Sequence, residues 1–343
     1  MRKWLMVLML FLFSVTGVHA AKLTLLGAGA TFPYPLYSKW FNVYYKKTGI
    51  KVNYQAIGSG GGIRQLLART VDFGATDAPM KDSDLAKAPA PILHIPMTLG
   101  AVAIGFNVPG VTELKLTPKV LADIFLGKIT KWNDPAIQKI NDVRLPDLPI
   151  IVAHRSDSSG TTYIFTDYLC KVSKEWCEKV GHGKTVKWPV GMGGKGNPGV
   201  AAYIKKIPGT IGYIEIAYAI ENHIPVAALQ NKAGRFIKPT LESISAAANI
   251  KNIPDDTRCS ITNTDAPNGY PIASFTWIII YKEQNYNNRS YKRAKELVKL
   301  LWWCIHDAQQ YNEKLLYGKL PPIVVHKGEK ILKSVTYNGK PIL

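Results

Sequence analysis

The stretch ILHIPMTLGAVAIGF, from Ile92 to Phe106, is an apolar run broken only around Thr98-Leu99-Gly100. It reads as a strand that leaves one lobe of the molecule and enters another. A second β-rich run, Ile272 to Tyr281, can carry the chain back. Two crossings make the first lobe discontinuous. The expected division is residues 21–99 with 273–343 as lobe I and residues 100–272 as lobe II.

Strand-like and helix-like stretches alternate on both sides of these crossings, which indicates α/β lobes. Lys22–Leu26, Lys51–Ala56, Val71–Gly74, Pro149–Ala153 and Thr210–Ile214 read as strands. Helices are expected over Pro35–Lys47, Ile63–Arg69, Thr117–Phe125, Thr161–Lys171 and Val200–Lys206. The longest is expected over Tyr291–Leu316, where Leu297, Leu300, Leu301, Cys304 and Ala308 recur at helical spacing.

The first 20 residues read as an export signal, 1–20. Arg2 and Lys3 precede an apolar stretch from Trp4 to Val15, and Val18-His19-Ala20 ends on small residues. Cleavage is expected after Ala20, with a periplasmic destination. The apolar run is shorter than the roughly 20 residues of a spanning helix. No cysteine follows Ala20 to take a lipid.

Loss of Arg2 and Lys3 would lower the formal charge from +19 to +17. The basic residues are scattered, with no nucleic-acid reader motif, so nucleic acid is not an expected partner. A positive field of this kind draws small anions.

The four cysteines are Cys170, Cys177, Cys259 and Cys304. None forms a C-x-x-C pair, so no metal is expected. In one continuous helix Cys170 and Cys177 would lie about 10 Å apart along the axis, too far to bridge. Ser173 can cap a new helix, and that break would bring them together. Both outcomes stand. Cys304 reads as a buried thiol, and a Cys259–Cys304 bridge is the weaker alternative.

Three segments share one design, a strand followed by a small polar turn and a helix. They are Gly27-Ala28-Gly29-Ala30-Thr31-Phe32-Pro33, Gly58-Ser59-Gly60-Gly61-Gly62, and Arg155-Ser156-Asp157-Ser158-Ser159-Gly160-Thr161-Thr162. The first N–H groups of a helix lack partners and carry partial positive charge. Glycine admits close backbone approach and hydroxyls add donors. Three such turns with an arginine make a shared oxyanion site between lobes.

Asp77 sits in the turn Ala75-Thr76-Asp77-Ala78-Pro79. An ionised carboxylate can only accept hydrogen bonds. It therefore favours an anion that still carries a proton, as phosphate does near neutral pH and sulfate does not.

Other motifs weigh less. Gly191-Met192-Gly193-Gly194-Lys195-Gly196 fits a dinucleotide fingerprint with Glu215 downstream, but no clear buried strand precedes it, and a loop before a helix is expected. His154, Asp157 and Ser159 are too close in sequence for a relaxed hydrolase triad.

These motifs together resemble the periplasmic phosphate-binding proteins of the phosphate ABC transporter, the PstS family. The likeness runs from about Leu23 to the C-terminus. It rests on Gly27–Pro33, Val71–Pro79, Asp157–Thr161, Val186-Lys187-Trp188-Pro189 and Gly193-Gly194-Lys195-Gly196-Asn197. It implies a two-lobed type II periplasmic-binding-protein fold with two hinge crossings. It also implies Thr31, Phe32, Ser59, Asp77, Arg155, Ser159, Gly160 and Thr161 as phosphate ligands, with Asp157 orienting Arg155. Ser158 stands where glycine is common, and Gly60 where serine is frequent. The expected protein is a monomeric, non-enzymatic carrier without cofactors. It would bind inorganic phosphate and deliver it to an inner-membrane permease complex. A binder of another oxyanion, an exported phosphatase or esterase using Ser159, and a surface adhesion or signalling protein that uses the basic face are the alternatives.

Overall fold

The run Ile92–Phe106 is one strand, buried along nearly its whole length. Helices from both chain halves pack against it, which removes the polar–apolar alternation of a half-exposed strand. The computed structural model describes residues 23–250 and 252–343. The export signal, its cleavage after Ala20 and residues 21–22 of the expected lobe I lie outside the described residues.

The main sheet contains β1 (Thr24–Gly29), β2 (Lys51–Ala56), β3 (Phe73–Thr76), β4 (Ile92–Phe106), β5 (Ile151–Arg155), β6 (Met192–Gly194), β7 (Thr210–Glu215) and β8 (Ala273–Tyr281). In space they run β2-β1-β3-β8-β4-β7-β5-β6. β4 changes partner part-way along. Residues from Ile92 to Ala101 pair antiparallel with β8, and Val102–Phe106 pair antiparallel with β7. On one side β1, β2 and β3 are parallel, and on the other β5, β6 and β7 are. A sheet of this topology offers ligand sites beyond the carboxyl ends of its parallel strands.

Six helices matter for the site. They are α1 (Tyr34–Thr48), α2 (Ser59–Leu67), α3 (Gly160–Val172), α4 (Lys174–Lys179), α5 (Gly196–Lys206) and α6 (Tyr291–Ile305). α1 buries Leu36, Tyr37, Trp40, Phe41 and Tyr44 on one face. That places a large aromatic payload beneath β1 to β3.

Several boundaries differ from the sequence expectation. α2 begins at Ser59 instead of Ile63, so its three glycines are helical. β3 lies two residues later than Val71–Gly74. Met192–Gly194, expected as loop, pairs with β5 as an edge strand, and α5 starts at Gly196 instead of Val200.

The segment Tyr291–Leu316 is not one helix. α6 ends at Ile305, and short 3-10 turns follow at Asp307–Tyr311 and Glu313–Leu315. Side chains take over the terminal carbonyls there. Gln309 Nε2 donates to Cys304 O at 2.8 Å, and His306 Nδ1 lies 2.8 Å from Trp302 O. Local polar groups thus compete successfully with helix continuation.

Ser173 caps a new helix, accepting the Trp176 N–H at 3.2 Å. The break between α3 and α4 brings the Cys170 and Cys177 Cα atoms to 4.4 Å, and the two form a disulfide. Cys259 and Cys304 are free thiols.

Residues 255–262 form a strap with no counterpart in the sequence expectation. Arg258 donates to Met80 O at 2.7 Å and pairs with Asp82 at 2.7 Å. Ser260 and Thr262 donate to Asp167 on α3 at 2.6 and 2.5 Å. The strap ties α3 to the segment that follows β3.

Candidate functional site

Four strands end at one place. β1 runs into Thr31-Phe32 before α1, and β2 runs into Gly58-Ser59 at the start of α2. β3 runs into Asp77, and β5 ends at Arg155, from which a turn leads to Ser159 and α3. Thr31, Phe32, Ser59, Asp77, Arg155, Ser159, Gly160 and Thr161 are all buried.

Ser159 caps α3 by accepting the Thr162 N–H at 3.0 Å, while its own N–H donates to Lys184 O at 2.8 Å. The next two amides, of Gly160 and Thr161, begin the helix and have no acceptor among the described residues. They are the dipole-favoured donors of a 13-residue helix. The Phe32 N–H is likewise free, while its carbonyl accepts from Tyr317 Oη at 2.6 Å.

Asp77 faces this donor set. Thr276 Oγ1, on β8, donates to Asp77 Oδ1 at 2.7 Å. Ser59 Oγ lies 3.4 Å from Asp77 Oδ2 and accepts the Asp77 N–H at 3.2 Å. Burial raises the Asp77 carboxyl to about 7, against the opposing pull of the Thr276 hydrogen bond, Arg155 and Ser59. Gly160 stands directly over this pair, and a Cβ on Gly160 would clash with both Asp77 Oδ2 and Ser59 Oγ.

Arg155 is held by its own turn. Nε and Nη2 donate to the two Asp157 oxygens at 2.7 and 2.6 Å, a two-point pairing that fixes the guanidinium plane. Its Nη1 is aimed at Thr161 Oγ1, 3.2 Å away. Asp157 also accepts the Gly196 N–H at 3.0 Å. Burial alone would raise the Asp157 carboxyl, but Arg155 and this N–H hold it below its usual value.

The turns also touch each other across the cleft. The Gly60 N–H donates to Ser158 O at 3.0 Å. A Cβ on Gly60 would collide with the Ser158 side chain, and one on Gly58 with Asp157. Residues 60 and 158 are therefore neighbours in space, and the missing side chain at Gly60 leaves room for that of Ser158.

Sequence reasoning assigned no role to Thr276 or Asn197. Thr276 sits in a uniformly buried strand, and nothing local marks it. Asn197 lies in a quoted family stretch, yet its partners are far away in sequence. It donates to Thr31 Oγ1 from both its main-chain N–H (3.1 Å) and Nδ2 (2.9 Å), and from Nδ2 to Thr161 Oγ1 (3.0 Å).

The hydrolase-like residues do not converge. His154 stacks on Trp188 with ring centroids 4.8 Å apart, and Ser159 Oγ serves as a helix cap. A cavity of about 350 Å3 opens beside Asp77, lined also by Lys81, Tyr163, Arg258 and Ser274. Of the converging donors and acceptors it reaches Asp77 alone.

The arrangement thus offers main-chain amides, hydroxyls and a guanidinium to an anion, with one buried carboxyl able to accept a proton-bearing oxygen. Comparison with known proteins agrees with that chemistry. A PBP superfamily domain matches residues 14–301. The chain is 46% identical over 329 residues to the phosphate-binding protein PstS of Pasteurella multocida, covering 93% of each chain. It is 44% identical over 308 residues to the PstS of Xylella fastidiosa, covering 88% of this chain and 83% of that one. In fold it is similar to a high-affinity periplasmic phosphate-binding protein solved with phosphate. That match has a TM-score of 0.72 and 21% identity, covering 90% of this chain and 93% of the other.

Proposed function

The chain belongs to the PstS family of phosphate-binding proteins, within the PBP superfamily, and from that premise we propose how it works as a reversible carrier of inorganic phosphate for an ABC transporter. The observation that carries the reading is the buried acceptor Asp77 set among donors, directly under the first turn of α3. Dihydrogen and monohydrogen phosphate have both oxygens to accept and a proton to give. They match this mixed set, whereas sulfate would face Asp77 with no proton.

Thr31, Phe32, Ser59, Asp77, Arg155, Ser159, Gly160 and Thr161 are the proposed ligands. Phe32, Gly160 and Thr161 would contribute main-chain N–H groups. Asp157 would orient Arg155, because it occupies the Nε and Nη2 edge and leaves Nη1 toward the site. Lobe I, residues 21–99 and 273–343, and lobe II, residues 100–272, would separate to admit phosphate and close over it. The change of β4 partner at Ala101 and Val102 supports that division. The charged basic surface would concentrate anions near the cleft. We further propose export through residues 1–20 to the periplasm, a monomeric state, no enzymatic turnover and delivery to an inner-membrane permease complex.

Isothermal titration of phosphate-stripped protein tests the reading. One phosphate site per chain is expected. Absence of phosphate binding would overturn it, and turnover of a chromogenic phosphate ester would favour an enzyme instead.

A further inference from the structure

Asn197 is fully buried near the start of α5, and both ends of its side-chain amide are hydrogen-bonded. Its Oδ1 accepts the Glu215 main-chain N–H at 2.9 Å. A main-chain N–H can only donate, so this bond fixes which end of the amide is oxygen. The Nδ2 end consequently faces two hydroxyls, Thr31 Oγ1 and Thr161 Oγ1, at 2.9 and 3.0 Å.

Each hydroxyl receives a second donor. The Asn197 main-chain N–H reaches Thr31 Oγ1 at 3.1 Å, and Arg155 Nη1 reaches Thr161 Oγ1 at 3.2 Å. A hydroxyl oxygen has two lone pairs and one proton. With both lone pairs engaged, each threonine can act only as a donor toward any further partner. Free threonine hydroxyls would otherwise rotate and accept as readily as they donate.

We infer that Asn197 is a positioning residue that makes the Thr31 and Thr161 hydroxyls obligatory donors to the bound oxyanion and latches the two lobes around it. This deepens the phosphate reading and rests on it. The polarity follows from the donor count. The latch follows from chain origin, since Thr31 follows β1 whereas Asn197 and Thr161 belong to α5 and α3. Four hydrogen bonds donated by Asn197 and Arg155, two to each hydroxyl, thus set the direction of two protons, one on each side of the cleft. The Asn197–Thr31 bonds exist only with the sides together, so the residue acts mainly on ligand escape.

The test uses phosphate-stripped full-length protein and inorganic phosphate, with affinity and dissociation rate both measured. Asn197→Asp keeps the shape and the acceptor for the Glu215 N–H but replaces the Nδ2 donor with an acceptor. It is expected to weaken phosphate binding about 100-fold, from two misdirected hydroxyls at about tenfold each. Most of the change should be faster dissociation. On a Thr31→Val/Thr161→Val background, titrated to millimolar phosphate, the same substitution should cost much less, because the hydroxyls it acts through are gone and only the repulsion between the added carboxylate and the anion remains.

An equal fold-loss on both backgrounds would mean a merely structural role and overturn the inference, as would unchanged affinity in Asn197→Asp. If Asn197→Asp does not fold, Asn197→Ala is measured on the same two backgrounds and judged by the same coupling. Wild-type protein that binds no phosphate would instead overturn the underlying reading, and this role with it.

Discussion

Thr276 Oγ1 donates to Asp77 Oδ1 at 2.7 Å across 199 residues of sequence. This bond occupies one oxygen of the buried carboxyl and leaves the other, Oδ2, beside Ser59 and under Gly160. Of the two carboxyl oxygens, Oδ2 is thus the one turned toward the first turn of α3.

Replacing that acceptor should change selectivity. Asp77→Asn substitutes a neutral amide, which can donate to a fully deprotonated anion. A buried polar mismatch costs about 1–3 kcal/mol, so the preference for phosphate over sulfate is expected to narrow about 10- to 100-fold. Competition titrations of the two anions check this. If sulfate is excluded equally by both proteins, Asp77 is not the filter.

The same carboxyl links stability to pH. An unfolded aspartate ionises near its ordinary value of 3.8, whereas burial raises Asp77 to about 7 in the folded protein. Between those values the folded state holds the extra proton, so stability falls as pH rises through the window. Burial also pushes Glu215 well up, with the same sign. In phosphate-stripped protein the Tm of Asp77→Asn relative to wild type should rise from pH 5 to pH 8. A difference that stays constant across that range would contradict a raised Asp77.

Loss of Arg155 should act on charge without regard to protonation. A charge-assisted hydrogen bond contributes about 1.5–3 kcal/mol, so Arg155→Ala is expected to weaken phosphate and competing oxyanions alike, by about 10- to 100-fold. Asp157 loses its two-point partner, so some stability should go with it. Unchanged phosphate affinity in this variant would remove Arg155 from the site.

Gly160→Ala separates closure from folding. Residue 160 is the first of a helix, where alanine is a better former than glycine. Its Cβ nevertheless has no room against Asp77 and Ser59 on the opposite turn. The expected variant keeps its Tm and loses phosphate affinity, and its radius of gyration no longer shrinks when phosphate is added. Wild-type affinity would show that these turns do not need to meet.

Much of the site is readable locally because its parts are turns with local signatures. A strand followed by Gly-Ser or Ser-Gly-Thr at a helix start announces free N–H donors, and Arg155 and Asp157 are neighbours in the chain. The two crossings are visible because a strand covered along its length loses alternation. Boundaries failed where residue type and environment disagree. Three glycines open α2, which helix propensity argues against, and the segment after Ile305 breaks because Gln309 and His306 take the carbonyls.

The sequence by itself determined the strand–turn–helix segments that carry the proposed donors, the place of Asp77 in its turn, and the two apolar runs Ile92–Phe106 and Ile272–Tyr281. Only the tertiary structure decided the direction of each hydrogen bond. Thr276 meets Asp77, Asn197 meets Thr31 and Thr161, and Gly60 yields space to Ser158, all across gaps that no local pattern spans. The physical reason is that a hydroxyl or amide is both donor and acceptor until its neighbours are known. Those neighbours here are brought together by sheet order and lobe contact, which depend on the packing of the whole chain.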